Sequence, residues 1–384
     1  MKALALKFKN IKWKRYINYI AISFVLVLFS TLSLTGSLKQ STLYLLEKMG
    51  IAIILSVSLG LVVGFLGELS LGHAGFMCVG AYMGGKVSVL LVSSGLGDGV
   101  VNLLISVVVG ALCAAALGFV VGLPALRLKG DYLAIVTLAF CEIVKTVFEN
   151  SSTESFGGPM GLRTPRLDKD YLFIIIFAFI LICLAVMQNF IRSKHGRAIT
   201  AIRDNEIAAR ATGINVTKYK LTAFIISAAF AGIAGVMYSF ANSTVAASAF
   251  DYNYSIEILV MVVLGGMGNI TGGIISAAVI TFLNVKLTTM LTGDNAVLKD
   301  LIYALILVLI VIYNNAPALK FVREKYNLKT LMTKVFGKKT DVSYDADDEG
   351  KWDRVPTKIK MDELLSVDVV VRESVIDPDK ENKD

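Results

Sequence analysis

Long apolar stretches recur along this sequence, and they restrict what the chain can fold into more than any other feature does. Most run for about 20 residues, the length of helix that crosses the roughly 30 Å hydrocarbon core of a bilayer. Hydrophobic residues make up 55% of the 384 positions. A soluble globule of this size cannot bury so much apolar surface, so a disordered chain and an ordinary soluble enzyme are both excluded. We predict an all-α, polytopic membrane protein.

Ten such stretches are predicted to form transmembrane segments. The first is interpreted as an uncleaved helix, because its apolar part exceeds the 7–15 residues typical of a secretory signal. The third and the eighth are rich in glycine or short, so a broken or re-entrant helix and a full span are both open for them. The ten segments are 17–35, 43–66, 74–94, 100–123, 132–149, 171–191, 219–241, 255–265, 271–291 and 300–314.

Basic residues in the connecting loops predict the orientation, since Lys and Arg concentrate on the cytoplasmic side of membrane proteins. The loops that ten spans place on the same side as both termini hold 22 Lys and Arg, against 5 in the alternate loops. We therefore predict cytoplasmic termini, with a basic N-terminus (1–16), a transmembrane domain (17–315) and a cytoplasmic tail (316–384) that is basic and then acidic. The acidic part of the tail is interpreted as a solvated extension or as a docking element.

Motifs that carry enzyme chemistry are few. Residues 80–87 match the phosphate-binding pattern GxxxxGK[ST] except at its last position, where Val87 replaces the hydroxyl that binds Mg²⁺. The two histidines, His73 and His195, and four scattered cysteines form no metal-binding pattern. The sequence therefore predicts no enzyme activity for this chain, no cofactor and no metal.

Glycines mark places where helices are expected to approach closely or to break. GxxxG pairs, which allow close packing of helices in lipid, begin at Gly60, Gly80, Gly118 and Gly268. In addition, residues 66–75 resemble residues 264–273 at a constant offset of 198. Paired Gly-interrupted segments mark the translocation site of repeat-built transporters. Chance similarity in a Gly-rich chain is the alternative.

A capped helix is predicted inside the long basic loop (about 192–218). Asp204 or Asn205 is suited to cap its N-terminus, and Gly213 is suited to end it in the left-handed conformation. Such a helix is held by its own caps and stands between two membrane spans.

The composition of this helix allows two interpretations. Glu206 and Arg210 are four residues apart in the order that favours an ion pair. The small side chains of Ala208 and Ala209 leave room for close contact. The helix is therefore either a surface linker or an element that inserts into a groove on a partner.

The pattern Glu206-x-Ala208-Ala209-x3-Gly213 resembles the EAA loop of ABC-importer permeases, which docks on the cytoplasmic ATPase. The longer string from Gly196 to Gly213 resembles the version found in branched-chain amino-acid (Liv-type) permeases, and we call residues 192–218 the coupling loop. Blocks that agree with the M-type subunit of that family, over about 43–315, are 69–76, 80–82, 130–138, 153–162, 264–269 and 272–273. The tail after about Lys320 is not a feature of the family.

The resemblance implies a permease subunit in the cytoplasmic membrane of a bacterium or archaeon. Its partners would be a homologous second permease, two cytoplasmic ATPases and an extracytoplasmic amino-acid-binding protein, with membrane lipid around it and no nucleic acid. The cargo would be Leu, Ile, Val or a related amino acid, an amide or urea. The alternatives are an ion-coupled secondary transporter and a ribose-type sugar permease.

The resemblance and the glycine pattern together select three groups of candidate residues. The coupling group is Gly196, Asp204, Asn205, Glu206, Ala208, Ala209 and Gly213. The translocation-path group is Ser70, Gly72, His73, Gly75, Asp131, Tyr132, Thr137, Glu142, Gly265, Gly266, Gly268, Gly272 and Gly273. The external mouth is Gly157, Gly158 and Gly161, for which a simple turn is the alternative. His73 is also interpretable as a hydrogen-bonded structural residue, and Glu142 as the partner of Lys145.

Overall fold

The computed structural model describes residues 17–34, 39–95, 97, 99–128, 130–167 and 169–290, together with Ala304, Leu305 and Val308. The predicted regions 1–16 and 316–384, and most of the predicted tenth segment, lie outside the described residues. The described helices are α1 (Ile17–Leu34), α2 (Gln40–Gly60), α3 (His73–Ser93), α4 (Val100–Ala125), α5 (Asp131–Glu149), α6 (Thr153–Phe156), α7 (Lys169–Arg192), α8 (Lys194–Asp204), α9 (Glu206–Ala211), α10 (Val216–Ala241), α11 (Tyr252–Gly265) and α12 (Ile270–Met290). A π-helical segment, Leu61–Leu66, continues α2.

Within the described part of the chain, six helices are long and apolar enough to cross a membrane, by length and composition. They are Gln40–Leu66, His73–Ser93, Val100–Ala125, Tyr171–Arg192, Val216–Ala241 and Ile270–Met290. The helices α1, α5 and α11 occupy the predicted first, fifth and eighth segments. The all-α, multi-pass architecture is therefore confirmed, whereas the count of ten is not.

The third predicted segment is continuous. α3 runs for 21 residues without interruption, and the chain leaves the helix before it, over residues 67–72. Gly67, at φ +80°, ends the π-helical segment. The eighth segment is short, because α11 has 14 residues. This corresponds to about 21 Å of helix, less than the roughly 30 Å core of a bilayer.

The centre of the bundle is formed by α10, which packs against α2, α3 and α4. The predicted close approach occurs at Gly80 of α3, where a Cβ would overlap the backbone of Gly232 in α10. It occurs again at Gly118 of α4, where a Cβ would lie 2.7 Å from the Cβ of Ala228. Around Gly60 a Cβ would meet nothing within 4 Å, so this glycine makes no such contact among the described residues.

The two ends of the bundle differ in their connecting segments. At one end, the coupling loop joins α7 to α10 through the short helices α8 and α9. At the other end, strands β1 (Leu162–Arg163) and β2 (Thr244–Val245) pair in antiparallel fashion. The hydroxyl of Tyr82 on α3 donates to the carbonyl of Val245 at 3.0 Å, which ties this ladder to the bundle.

Candidate functional site

The coupling loop contains two short helices in succession. The side chain of Ser193 accepts hydrogen bonds from the amides of His195 and Gly196 and so caps α8. Asn205 then interrupts the helix with an extended backbone, and its side chain accepts from the amide of Ala208 at 3.0 Å to cap α9. The N-cap of α9 is therefore Asn205, whereas Asp204 is the last residue of α8.

The end of α9 has the geometry expected for Gly213. This residue has φ +84°, a value that side chains other than glycine rarely adopt. The amide of Gly213 donates to the carbonyl of Arg210, and the amide of Ile214 donates to that of Ala209, each at 3.1 Å. This pair of hydrogen bonds is the Schellman arrangement, which satisfies the last carbonyls of a helix. The helix end is thus fixed by the glycine.

The side chains of α9 point in different directions. Ala209 is 4% exposed and packs into the core of its own chain, so its small size serves that packing. The expectation that it offers its methyl group to a partner is therefore corrected. Ala208 is exposed, and the neighbouring Ile207 is 80% exposed. The surface available to a partner is therefore the Ile207–Ala208 face.

A buried ion cluster connects the coupling loop to the first glycine break (residues 67–72). The side chain of Lys220, near the start of α10, is 4% exposed and contacts Glu68 of the break in a short ion pair. Its Nζ also lies 3.2 Å from Oε2 of Glu206 on α9. Glu206 in turn accepts from Arg210 at 2.7 Å, the predicted i,i+4 pair. One lysine therefore joins α9, α10 and the break.

Arg203 at the end of α8 makes a second connection. Its Nη1 donates to the carbonyl of Gly64 in the π-helical segment at 3.2 Å, and its Cγ occupies the space where a Cβ on Gly67 would lie, at 2.6 Å. An ion pair with Asp204 at 2.9 Å orients the guanidinium. Through Arg203, the coupling loop thus contacts the π-helical segment at Gly64 and the start of the first break at Gly67.

The second glycine break (residues 266–269, between α11 and α12) meets the π-helical segment directly. A Cβ on Gly64 would lie 2.5 Å from the amide nitrogen of Gly268, so the two backbones are in contact. The hydroxyl of Ser56 on α2 also donates to the carbonyl of Gly273 on α12 at 3.2 Å. The turn at 266–269 therefore lies against the π-helical segment, and α12 lies against α2.

Several predicted path residues of the first break are packed and hydrogen bonded. His73 is 2% exposed, and its Nε2 lies 2.7 Å from the hydroxyl of Ser58. Thr137 Oγ1 accepts from the amide of Leu71 at 3.0 Å. Ser70 is likewise buried. Gly72 and Gly75 lie against α5, where a Cβ would approach the backbone of Thr137 and Cys141 respectively. These residues pack the first break and the start of α3 against α2 and α5.

The predicted glycines of the second break allow a close turn. Gly266 and Gly268 have φ values of +88° and +80°. Gly265 and Gly272 approach so closely that a Cβ on either would overlap the backbone of the other. A Cβ on Gly273 would lie 3.3 Å from the hydroxyl oxygen of Ser56 on α2. All five predicted glycines therefore surround one turn.

Three predicted path residues have other surroundings. Asp131 and Tyr132 are exposed at the start of α5. Glu142 forms the predicted pair with Lys145 at 3.3 Å, and its other oxygen accepts from the amide of Tyr252 at 3.1 Å. Glu142 therefore anchors the first turn of α11.

The glycines of the predicted mouth form a tight turn next to the β-ladder. Gly157, Gly158 and Gly161 all have positive φ, at +81°, +52° and +79°. Met160 between them is 86% exposed. The turn lies at the end of the bundle away from the coupling loop, as a mouth would, and its geometry equally fits a simple connection.

Sequence reasoning missed the roles of Lys220 and Arg203, which it counted only as basic residues of a loop. The available signal was position, since Lys220 lies one turn inside an apolar helix and 14 residues after Glu206. Ionisable groups at such depth are costly and usually have a partner. Among the described residues, no group of three His, Cys, Asp or Glu side chains is arranged to hold a metal ion.

Comparison with known proteins gives a consistent set of relatives. A family model described as the branched-chain amino acid transport system permease component matches residues 41–311. The chain is 35% identical over 262 residues to the high-affinity branched-chain amino acid transport system permease protein LivM of Salmonella typhimurium. It is 27% identical over 309 residues to the probable branched-chain amino acid transport permease protein LivM of Methanocaldococcus jannaschii.

The extent of these matches varies. The alignment with the Salmonella protein covers 60% of this chain and 60% of that protein. The alignment with the Methanocaldococcus protein covers 69% of this chain and 89% of that protein. The ribose import permease protein RbsC of Escherichia coli K12 matches at 32% identity, but over 126 residues, which is 31% of this chain. No solved structure matches the chain.

Proposed function

Because the chain belongs to the family of branched-chain amino acid transport system permease components, we propose that it is the membrane-spanning subunit of an ATP-driven importer of branched-chain or closely related amino acids. It carries no nucleotide-binding motif of its own, so ATP hydrolysis belongs to partner subunits. The sugar-permease alternative is weaker, because the ribose permease match covers 31% of the chain.

The partners in this proposal are two cytoplasmic ATPases, a second and homologous permease, and an extracytoplasmic binding protein. The Ile207–Ala208 face of α9 is the surface assigned to an ATPase. Apolar side chains exposed along α4, such as Leu112 at 64% and Val108 at 58%, suit lipid or the second permease. The binding protein is assigned to the opposite end, where Met160 and the turn at 157–161 lie.

One observation carries the proposed mechanism. Lys220 near the start of α10 links Glu206 of the coupling loop to Glu68 of the first break, and Arg203 of the coupling loop contacts the π-helical segment. When an ATPase moves α9, these contacts transmit the movement to the first break and to the π-helical segment, which the second break contacts. Broken helices expose backbone groups inside the membrane, where they can serve a polar substrate. ATP-driven movement can therefore change access to the path.

The topology and domain division follow the charge distribution. With the coupling loop in the cytoplasm, the turn at 157–161 faces outward, and both termini are cytoplasmic. A cysteine at position 156 should react with a membrane-impermeant maleimide in intact cells, whereas one at position 205 should react only after the membrane is opened. External reaction at position 205 would contradict this orientation and the docking role of α9.

The function is tested with the purified membrane complex. We expect an ATPase and a second permease to co-purify with the chain, and reconstituted vesicles with the binding protein to take up leucine only with ATP. Ile207→Glu should remove the ATPase and abolish uptake, because it places a charge on the docking face. Met160→Glu is the matched control, since Met160 is equally exposed at the other end and its replacement should leave the ATPase bound.

The same vesicles separate the alternatives. Leucine uptake that is driven by an ion gradient and needs no ATP would establish the secondary transporter instead. Uptake of ribose in preference to leucine would establish the sugar permease. Retention of the ATPase and of normal uptake by Ile207→Glu would make α9 a surface linker.

A further inference from the structure

A cavity of about 460 Å³ opens among the helices, away from the coupling loop. Its walls come from the first half of α2 (41–52), from α11 and from the last turns of α12. The end of α10 and the segment at 249–250 complete it. The volume lies within the range of about 300–1,000 Å³ that is common for small-molecule sites. The predicted path residues contribute none of its walls.

Two side chains of opposite charge line this cavity, Lys48 on α2 and Glu257 on α11. The Nζ of Lys48 lies 4.7 Å from the ring centroid of Tyr44, a cation–π contact. Glu257 Oε1 accepts from the side-chain amide of Asn284 at 2.9 Å. Ionisable groups inside membrane helices are costly and mark functional sites. The cavity therefore offers a positive and a negative charge in an apolar frame.

The remaining walls combine apolar side chains with several hydroxyl groups, including that of Thr281. Ile51, Phe250 and Met261 are buried along the cavity. The Thr281 hydroxyl is also buried, and it has no hydrogen-bond partner among the residues that the structure describes. A buried polar group without a partner is costly, and a polar ligand would satisfy it.

We propose that this cavity binds the transported amino acid as a zwitterion during its passage. Lys48 faces the α-carboxylate of the ligand, Glu257 faces its α-ammonium group, and Ile51 and Met261 contact its aliphatic side chain. This inference rests on the proposed function, since it names the site at which this subunit holds the cargo. It assigns residues that neither the glycine pattern nor the family resemblance selected.

The same three helices line a separate, smaller gap next to the second glycine break. This gap of about 20 Å³ is lined by Ser56 and Gly60 of α2, by Gly266 and by Gly273 of α12. It is too small for an amino acid, and below it Gly64 and Gly268 are in backbone contact. From Ile51 to Gly60 the helix rises about 14 Å. This narrow region therefore separates the cavity from the contact between Gly64 and Gly268, beside which Arg203 lies.

The test measures protection of a cysteine in the cavity wall. Thr288→Cys lies on the exposed rim, in a background where Cys113 is replaced by Ala and the other three cysteines are buried. The full chain is studied in the membrane complex that co-purifies with it. We expect saturating L-leucine to slow maleimide labelling of Thr288→Cys at least fivefold. Ser93→Cys, exposed and outside the cavity, is the control and should label at an unchanged rate.

Analogues that lack one charged group identify the two contacts. 4-Methylpentanoate lacks the ammonium group and 3-methylbutylamine lacks the carboxylate, so both should protect at least tenfold less well than L-leucine. Lys48→Met should raise the half-protecting concentration of L-leucine at least tenfold and leave that of 3-methylbutylamine unchanged. Glu257→Gln should likewise raise the half-protecting concentration of L-leucine at least tenfold, and it should leave that of 4-methylpentanoate unchanged. Lys48→Arg should keep most of the protection.

The outcomes are distinguishable from those for the proposed function. If the unsubstituted complex shows ATP-dependent leucine uptake while L-leucine leaves the labelling of Thr288→Cys unchanged, the cavity assignment is overturned and the permease function stands. Equal protection in Lys48→Met and in the unsubstituted cavity also overturns it. If a charge variant fails to assemble, the analogue comparison in the unsubstituted cavity decides, and equal protection by all three compounds contradicts the assignment.

Discussion

The two glycine breaks share a sequence pattern but are held in different ways. The first, at residues 67–72, is fixed by side chains from elsewhere in the chain: Thr137 accepts from its backbone and Lys220 pairs with Glu68. The second, at residues 266–269, is held by its own turn, in which the amide of Asn269 donates to the carbonyl of Gly266 at 3.0 Å. Met267 at its tip is 67% exposed.

This difference assigns separate roles to two similar stretches. A segment that is fixed by long-range contacts moves only together with the helices that hold it. A turn that is stabilised locally and exposed can change with little loss of packing, because stability is not uniform along a chain. We therefore expect the first break to stay fixed and the second to move against the π-helical segment at the Gly64–Gly268 contact.

The strongest test removes the buried cation that pairs with the first break. Lys220→Met leaves Glu68 and Glu206 close together without their shared partner. Breaking a fully buried pair costs about 3–5 kcal/mol, and the cost here is lower because the two carboxylates are 13% and 21% exposed. We expect a large fall in thermal stability of the purified complex and loss of uptake. Addition of Glu68→Gln should recover part of the stability. Arg210→Met is the control, since Arg210 is 67% exposed and exposed pairs contribute about 0–1 kcal/mol.

Matched leucine substitutions compare the two breaks directly. In Gly72→Leu, a Cβ would lie 2.6 Å from the carbonyl oxygen of Thr137, and overpacking of this kind costs about 1–3 kcal/mol or more. In Gly266→Leu the atom nearest to a Cβ is 3.9 Å away, so the cost of about 1–3 kcal/mol comes from the backbone conformation (φ +88°, ψ +121°), which side chains other than glycine rarely adopt.

The readouts are the amount of folded chain and the uptake rate. Gly72→Leu should lose both, whereas Gly266→Leu should keep a folded chain and lose uptake. Equal loss of folded chain in both variants would mean that the two breaks are equally fixed.

A smaller effect is expected at the contact between the coupling loop and the π-helical segment. Arg203→Gln removes the hydrogen bond to Gly64, and one such bond contributes about 1 kcal/mol. ATP hydrolysis should continue while leucine uptake falls about fivefold, so the ratio of ATP hydrolysed to leucine transported rises. Lys194→Gln, exposed at the other end of α8, should leave this ratio unchanged. A parallel fall of both activities would contradict a role in transmission.

The smallest effect is expected at the tip of the second break. Met267→Ser replaces an exposed apolar side chain, and surface substitutions of this kind change stability by about 0.5 kcal/mol or less. The melting temperature of the complex should stay within the error of the measurement, with normal uptake. A clear loss of stability would show that a partner or the lipid holds this turn in place.

Local features of the fold were predictable from the sequence because neighbouring residues determine them. Asn205 and Gly213 lie at the two ends of α9 as capping rules require, and Glu206–Arg210 and Glu142–Lys145 pair across one helical turn. The positions of the apolar helices follow from the length of helix that spans a bilayer.

Long-range features were not predictable in this way. Lys220 and Glu68 are 152 residues apart, and nothing in either local sequence indicates the other. The burial of Ala209 depends on how α9 lies on the bundle, which its six residues do not determine. The charged cavity is likewise assembled from α2, α11 and α12, whose mutual packing sets the distance between Lys48 and Glu257.

The π-helical segment Leu61–Leu66 holds one more residue per turn than the α-helix that it continues. In an α-helix each residue turns the chain by about 100°. Deleting a single residue within this segment would restore regular winding, and every residue before it would keep its register. The break after it would keep nearly the same direction about the axis of α2, because the wider π-helical turns wind six residues through about the same angle as five residues of an α-helix. The segment therefore absorbs one residue of chain length while Glu68 still projects towards Lys220.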